Sequence, residues 1–543
     1  MQDFPPSPGV SPRIMAEAGK RWGWTAAALL LLAFGLAVRL WHVFGEPLWL
    51  DEAYSAYAAD HGFTFLWQVV PRYETHPPFY YSLLHLWVLV AGDSVAALRA
   101  PGVLAGLATL LVMTLTAREA GRRLGWERDR RHRLMLAVLA LACCSIPLVE
   151  MARQVRPYPL MILVYAAALS RLLQLAEDAR AGRPLGRGLL GYFLLLEAML
   201  WLHNMGPLFG VALTLALACA VVRRGMSRRD WIRLGVGHLL VGLAYLPGFL
   251  ILLGQAPTWA ASTWVQFQWP DVIGRVQMLY AVAGLPIIVA IGLAVLGIAT
   301  LVRAKRNGRV AAILLILALL PLVLSITLSL TVAPVFITRT MTPVAVPALL
   351  LFAIGAAGAT GALRWLGLGG VLLICATTGA IDVQTRMGGP MQDWYQTVDW
   401  LRRWAQPGDQ VFAYPNEGDL PLSYALRDKR LALPIRAIPA PVPAFADYGG
   451  WYPTGSRGVV SLPPARLRAI AEEPATQAVP TIWLLRLGKQ TYDRGDILLH
   501  ELHRGRYVVR HWQAGPIDIV GLRRLPADAR PFRSPTEPAR NPR

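Results

Sequence analysis

Two carboxylates stand side by side in Leu48-Trp49-Leu50-Asp51-Glu52-Ala53-Tyr54, just past an apolar run, and a third opens Glu74-Thr75-His76-Pro77-Pro78-Phe79-Tyr80-Tyr81. Charges are costly beside lipid, so ionisable side chains gathered at the edge of a span point to a site. A hydroxyl is a poor nucleophile near neutral pH, and a positioned carboxylate can act on it as a general base. The two prolines bias the chain towards an extended approach to the aromatic stretch. His76 suits phosphate or acceptor binding, and equally the capping of a turn. Neither a Gly-rich phosphate loop nor a zinc-ligand spacing accompanies these residues.

The elements that must position them are set by composition. With 55% hydrophobic and 16% charged residues in a chain of 543, most of the length reads as helices embedded in a bilayer. Apolar runs near the ~20 residues needed to cross it fall at about 24–44, 95–117, 134–150, 158–176, 188–204, 206–222, 234–253, 277–302, 310–330, 341–360 and 365–381. The shorter stretch 79–91, interrupted by His85, reads as a helix lying at the outer interface. With that choice the Arg-dense loops 118–133, 171–187, 223–233 and 303–309 all face the cytoplasm, as the positive-inside bias requires. The formal charge of +20 is therefore explained by loop arginines, and nucleic acid is not an expected partner.

The same parity defines the outward loops. The first, 45–94, holds Glu46, Asp51, Glu52, Asp60, Glu74 and Asp93 against Arg72 alone. Others carry Glu150, Arg153, Arg156 and Tyr158, then Trp259, Trp264 and Trp269, then Arg339. Tryptophans at such positions suit interfacial anchoring, and Arg99, near the end of a span, reads as snorkelling. The expected organisation is a cytoplasmic tail at 1–21, a transmembrane region at 22–381, an extracytoplasmic α/β domain at 382–525 and a loose tail at 526–543. Within the α/β region, 393–405 and 464–473 read as helices and 410–414 and 481–487 as strands, the first strand following the Pro407-Gly408-Asp409 turn.

In this order, Trp49-Leu50-Asp51-Glu52, His76-Pro77-Pro78-Phe79-Tyr80-Tyr81, Leu98-Arg99-Ala100-Pro101, a basic inner loop, Arg156-Pro157-Tyr158 and Thr338-Arg339-Thr340 before a Pro-containing span, the chain resembles bacterial family 39 glycosyltransferases of the GT-C class. That family includes protein O-mannosyltransferases and the lipid A aminoarabinose transferase. The resemblance covers roughly residues 20 to 380 and is strongest in the first outer loop. It implies a polytopic α-helical protein of about eleven spans in the bacterial inner membrane, with its amino terminus cytoplasmic and an extracytoplasmic C-terminal α/β domain.

The implied reaction moves a sugar from a polyprenyl-phosphate donor to a hydroxyl of an envelope glycan, lipid or protein, with inversion. Asp51 matches the family's catalytic base, and Glu52 would orient the acceptor or a cation. Arg153, Arg156 and Arg339 are the expected phosphate partners, Arg offering a planar fork to that anion. Glu74, His76, Tyr80 and Tyr158 are expected to contact substrate. A divalent cation, Mg or Mn, is compatible with the leaving phosphate. Relatives carry an acid two positions before the Arg-Pro-Tyr; here that position is Gln154, a departure that bears on any metal. Readings of other classes are a transporter or flippase, which calls for broken helices in two symmetric halves, and a non-catalytic scaffold presenting the outer domain.

Overall fold

The computed structural model describes residues 12–525 apart from 75, 224–225, 263–264, 305–307, 453–460, 490–492 and 494. Trp264 and the tail expected from 526 onward lie outside the described residues, as does the start of the amino-terminal tail. The chain forms two compact units: one joins Met1–Phe44 to Arg99–Met387, and the other joins Gly45–Leu98 to Gly388–Arg543.

The first unit is helical. Eight of its described helices are long and apolar enough to cross a membrane: Trp22–Leu40, Val95–Arg123, Tyr158–Arg180, Arg228–Ala260, Leu285–Arg303, Gly308–Thr331, Thr338–Gly358 and Leu363–Met387. The runs at 134–150, 188–204 and 206–222 also fold as helices, Arg128–Cys144, Gly186–Leu202 and Gly206–Val221, of 17, 17 and 16 residues. Two runs are shorter than their hydropathy implies. The run from 134 breaks at Ser145, where Pro147 restarts a short helix, Ile146–Met151. The run from 277 breaks at Gly284, whose φ of 87° favours glycine, and the span proper starts at Leu285.

Exposure follows a helical period on the outer members. Trp231, Ile232, Val236, Leu239, Leu240, Leu243, Leu246, Phe249, Leu250 and Leu253 are exposed along Arg228–Ser262, an apolar stripe suited to lipid. The Ala345–Gly358 helix is the opposite case, buried from Ala345 to Ala357. It lies against Leu285–Arg303 through small residues. A Cβ on Gly355 would meet the Leu293 carbonyl oxygen at 2.0 Å, and one on Gly297 the Leu351 carbonyl oxygen at 2.4 Å. Close backbone approach of this kind is how apolar helices associate where lipid removes the hydrophobic drive. Arg99 does not snorkel: it is buried, and its guanidinium donates to the Val43 carbonyl at 2.5 Å, because that carbonyl lies beyond the end of the first helix and lacks a helical partner.

In the second unit, five strands, β1 (Gln410–Ala413), β2 (Ile435–Ala437), β3 (Thr481–Leu485), β4 (Arg506–Ala514) and β5 (Ile517–Arg524), pair in the order β2-β1-β3-β5-β4. The first three are parallel, and β5 and β4 form an antiparallel hairpin added to one edge. Period-two alternation divides the core. Phe412, Ile482, Leu484, Val520 and Leu522 face the helices Pro464–Glu472 and Ile497–His503. Val411, Ala413, Trp483, Leu485, Ile517 and Ile519 face Trp394–Trp404 and Asp419–Asp428. Both faces of the sheet are covered, as parallel strands require. Complete burial of Trp394 and Trp483 alone contributes a few kcal/mol, at ~25 cal/mol per Å² of apolar surface.

Candidate functional site

Asp51 and Glu52 sit in the first turn of the Leu50–Ala59 helix, where the helix dipole favours negative charge. Glu52 is 1% exposed, and its carboxylate accepts from the Trp49 amide at 3.4 Å, satisfying a donor that the helix start leaves over. Asp51 is half-buried, and its carbonyl accepts from the Ser55 hydroxyl at 3.1 Å. The helix packs on Phe63–Gln68 and on Pro78–Ala91. The latter starts at Pro78, where a missing amide hydrogen costs nothing.

Just before that start, the His76 ring nitrogen Nδ1 lies 2.6 Å from a Glu74 carboxylate oxygen, with His76 buried and Glu74 partly so. A carboxylate at that distance fixes the ring orientation and favours the tautomer that carries hydrogen on Nδ1. Tyr80 and Tyr81 are also buried, their ring centroids 5.4 Å apart, and the Tyr81 ring lies edge-on to His76 at 6.5 Å. Four expected site residues therefore belong with Asp51 to one compact unit: Glu52, Glu74, His76 and Tyr80.

Sequence reading missed what holds the Asp51 helix in that unit. The Leu50 amide donates to the Gln392 side-chain oxygen at 3.0 Å, across 342 residues of chain. The Tyr54 hydroxyl reaches a Glu417 carboxylate oxygen at 3.4 Å, and the Tyr57 hydroxyl donates to the Val442 carbonyl at 3.0 Å. Beyond the helix end, Asp60 accepts from the Tyr424 hydroxyl at 2.8 Å, and Arg72 pairs through two nitrogens with Asp447 at 2.9 Å. That pair holds the exposed Asp447 carboxyl below the usual range, chiefly by the hydrogen bond from Arg72. Leu50, Tyr54 and Tyr57 recur at helical spacing, which was the signal available in the sequence.

The remaining expected residues belong to the helical unit. Arg153 and Arg156 lie in the turn between Ile146–Met151 and Tyr158–Arg180, and Arg153 donates to the Trp41 carbonyl at 2.6 Å. Arg156 and Tyr158 are buried. Arg339, half-buried, lies in Thr338–Met341, and its carbonyl accepts from Thr342 at 2.8 Å. The 3-10 turn Thr342–Val344 that follows packs against both Ile146–Met151 and Tyr158–Arg180. Arg153 and Arg156 thus share one turn, and the helix that carries Arg339 leads into a second turn packed against the helices flanking the first. His203, which sequence reading passed over, stands in the short turn between two apolar helices. It is buried, its ring centroid is 5.7 Å from that of Tyr158, and its Nδ1 accepts from the Met205 amide at 2.9 Å. A His-Asn pair interrupting two apolar runs was its only mark in the sequence.

Among the described residues, no group of three or more His, Cys, Asp or Glu side chains is placed to hold a metal ion. Gln154, in the turn before Arg156, is a neutral side chain and a weaker ligand for a hard cation than a carboxylate.

The structure is similar to ArnT from Cupriavidus metallidurans in the apo state, with a TM-score of 0.54 and 13% identity over 93% of this chain and 98% of that one. It is similar also to the oligosaccharyltransferase of Archaeoglobus fulgidus in complex with Zn and sulfate, with a TM-score of 0.51 and 13% identity over 92% of this chain and 74% of that one. No family model matches the sequence, and neither does any curated protein. At this identity the likeness is one of fold, and it covers both the apolar helices and the five-stranded sheet of this chain.

Proposed function

We propose that the protein is a membrane glycosyltransferase that moves a sugar from a polyprenyl-phosphate donor to a hydroxyl of an envelope glycan, lipid or protein, with inversion. The observation that carries this reading is the GT-C fold with Asp51 in the first turn of a helix directly after the first apolar helix. Asp51 takes the acceptor proton as the hydroxyl oxygen bonds the anomeric carbon. The bond from that carbon to phosphate oxygen breaks, and its electron pair leaves with the lipid phosphate. The sugar passes through oxocarbenium character, as in glycoside cleavage. Arg156, Arg339 and Arg153 compensate the growing phosphate charge. Glu74, His76, Tyr80 and Tyr158 contact substrate, and Glu52 holds the helix start.

In this reading the chain belongs with the family 39 enzymes and spans the bacterial inner membrane eleven times. Its basic loops lie inside and the regions 45–94 and 382–525 outside. That topology keeps Asp51 on the face where polyprenyl-linked sugars meet envelope acceptors. A divalent cation, if used, would assist the leaving phosphate; every step above is assigned to side chains of this chain. The deciding experiment reconstitutes the full-length protein with polyprenyl-phosphate-linked pentose, hexose and uronic acid and an envelope extract, and determines product linkage. One donor should yield an inverted glycoside. Absence of product with all three, together with unchanged glycan composition of envelopes lacking the gene, would remove the assignment.

A further inference from the structure

We propose that Gln392 and Glu417 are positioning residues for Asp51, so that the C-terminal region sets the register of the helix turn from which the base projects. The inference rests on the reading of Asp51 as general base given above. Its own observations are separate. Leu50, Tyr54 and Tyr57 share one face of the Leu50–Ala59 helix, and each is bound by the region after 388: the amide by Gln392, the hydroxyls by Glu417 and the Val442 carbonyl. Asp51 follows Leu50 by one residue, about 100° around the helix. Any slip of the bound face therefore swings the carboxylate.

Each anchor is itself held. Gln392 is 7% exposed, and the oxygen that accepts from Leu50 also accepts from the Trp394 indole at 3.1 Å, with Trp394 fully buried at the start of its helix. Leu50 packs its side chain into the same apolar cluster as Trp394 and Val398. Glu417 follows β1 at its carboxyl end, beside Asn416, whose amide donates to the Ala440 carbonyl at 2.9 Å. β1 lies between β2 and β3, where connections leave in opposite directions, and in open α/β sheets the crevice at that point holds the ligand. Here a residue from that crevice grips the protein's own helix.

A purely structural role would cost stability and leave the ratio of turnover to donor binding alone. The test compares Gln392→Leu, Gln392→Glu, Tyr54→Phe and Asp51→Asn in the full-length protein reconstituted in lipid. Hydrogen exchange is followed at 50–59 and in β1 and β3, and kinetics use the polyprenyl-phosphate-linked sugars above. Gln392→Leu should speed exchange at 50–55 at least tenfold with β1 and β3 unchanged, and lower kcat at least tenfold with donor KM within twofold. Gln392→Glu, which keeps an acceptor oxygen for Leu50, should recover most of that turnover. Tyr54→Phe, which removes only a hydroxyl, should produce a smaller loss in the same direction, and decides the matter if Gln392→Leu also loosens the sheet. Normal kcat in Gln392→Leu and Tyr54→Phe beside an inactive Asp51→Asn would overturn the positioning role and leave the base in place. An active Asp51→Asn would instead overturn the reading on which it rests.

Discussion

Asp51 and Asp518 are both carboxylates, and their surroundings give them different work. Asp51 stands half-buried in a helix first turn, and in the proposed reaction its charge matters most when the acceptor proton moves. Asp51→Asn should therefore lower kcat by about 10²–10⁴-fold with donor KM little changed, measured with the reconstituted enzyme. Arg339→Ala should cost at least tenfold in kcat/KM for the donor, since a charge-assisted contact to phosphate is lost; an unchanged value would take Arg339 out of the site. Asp518 is buried and tied to Arg486 through both oxygens at 2.9 Å, to Lys489 at 2.8 Å and to His511 at 3.0 Å. Burial alone would raise its carboxyl, but the bonds from Lys489, Arg486 and His511 outweigh it and hold it below the usual carboxylate range. A depressed folded value contributes stability that is present above the unfolded value, about 3.9, and lost as pH falls through the folded one. The sheet region should accordingly loosen in acid below about pH 4, read by hydrogen exchange in β3 and β5. Asp518→Asn should cost about 1.5–3 kcal/mol at neutral pH, because it removes the charge from the hydrogen bonds to buried Arg486, which among the described residues keeps only Asp496 at 2.8 Å, and should flatten that acid response.

At the scale of elements, two kinds of contact hold the fold, and they respond to different changes. In the helical unit the contact is backbone against backbone. Gly355→Leu has no room beside the Leu293 carbonyl and should destabilise the helical unit by about 1–3 kcal/mol or more, seen as a lower melting temperature in detergent. In the sheet unit the contact is period-two packing, and much of it was legible. The strand at 410–413 follows its Pro-Gly-Asp turn, and the helices at 394–404 and 464–472 begin where Asp393 and Pro464 place them. The hairpin β4–β5 was not legible, because β4 runs Arg506-Tyr507-Val508-Val509-Arg510-His511-Trp512 at an exposed edge and its burial pattern breaks at a bulge after Val508. Apolar runs marked where helices fall but not where they stop. Ser145 with Pro147, and Gly284, end or delay helices inside stretches that hydropathy alone would carry through. Of the candidate site, Asp51, Glu74 and His76 announced themselves by charge beside spans. Gln392 and Glu417 carried no such mark, being ordinary polar residues in a polar stretch.

At the scale of the whole molecule, the first loop and the C-terminal region are one folded body rather than a loop and an appendage. Ending the chain after Met387 should leave residues 45–98 without their partners and abolish turnover, and protease cleavage within 45–98 is the measurement that separates this from a loss of acceptor recruitment alone. The sequence by itself determined that the chain is a multi-pass membrane protein, where its apolar helices fall, and which ionisable residues stand at their ends, because hydropathy and charge act locally and are written in consecutive residues. Tertiary structure alone decided that Leu50 meets Gln392, Tyr54 meets Glu417 and Tyr424 meets Asp60. Each is a hydrogen bond between groups more than 340 residues apart, and no local propensity encodes a partner at that distance: only burial of both faces of the sheet brings the two ends of the pair together.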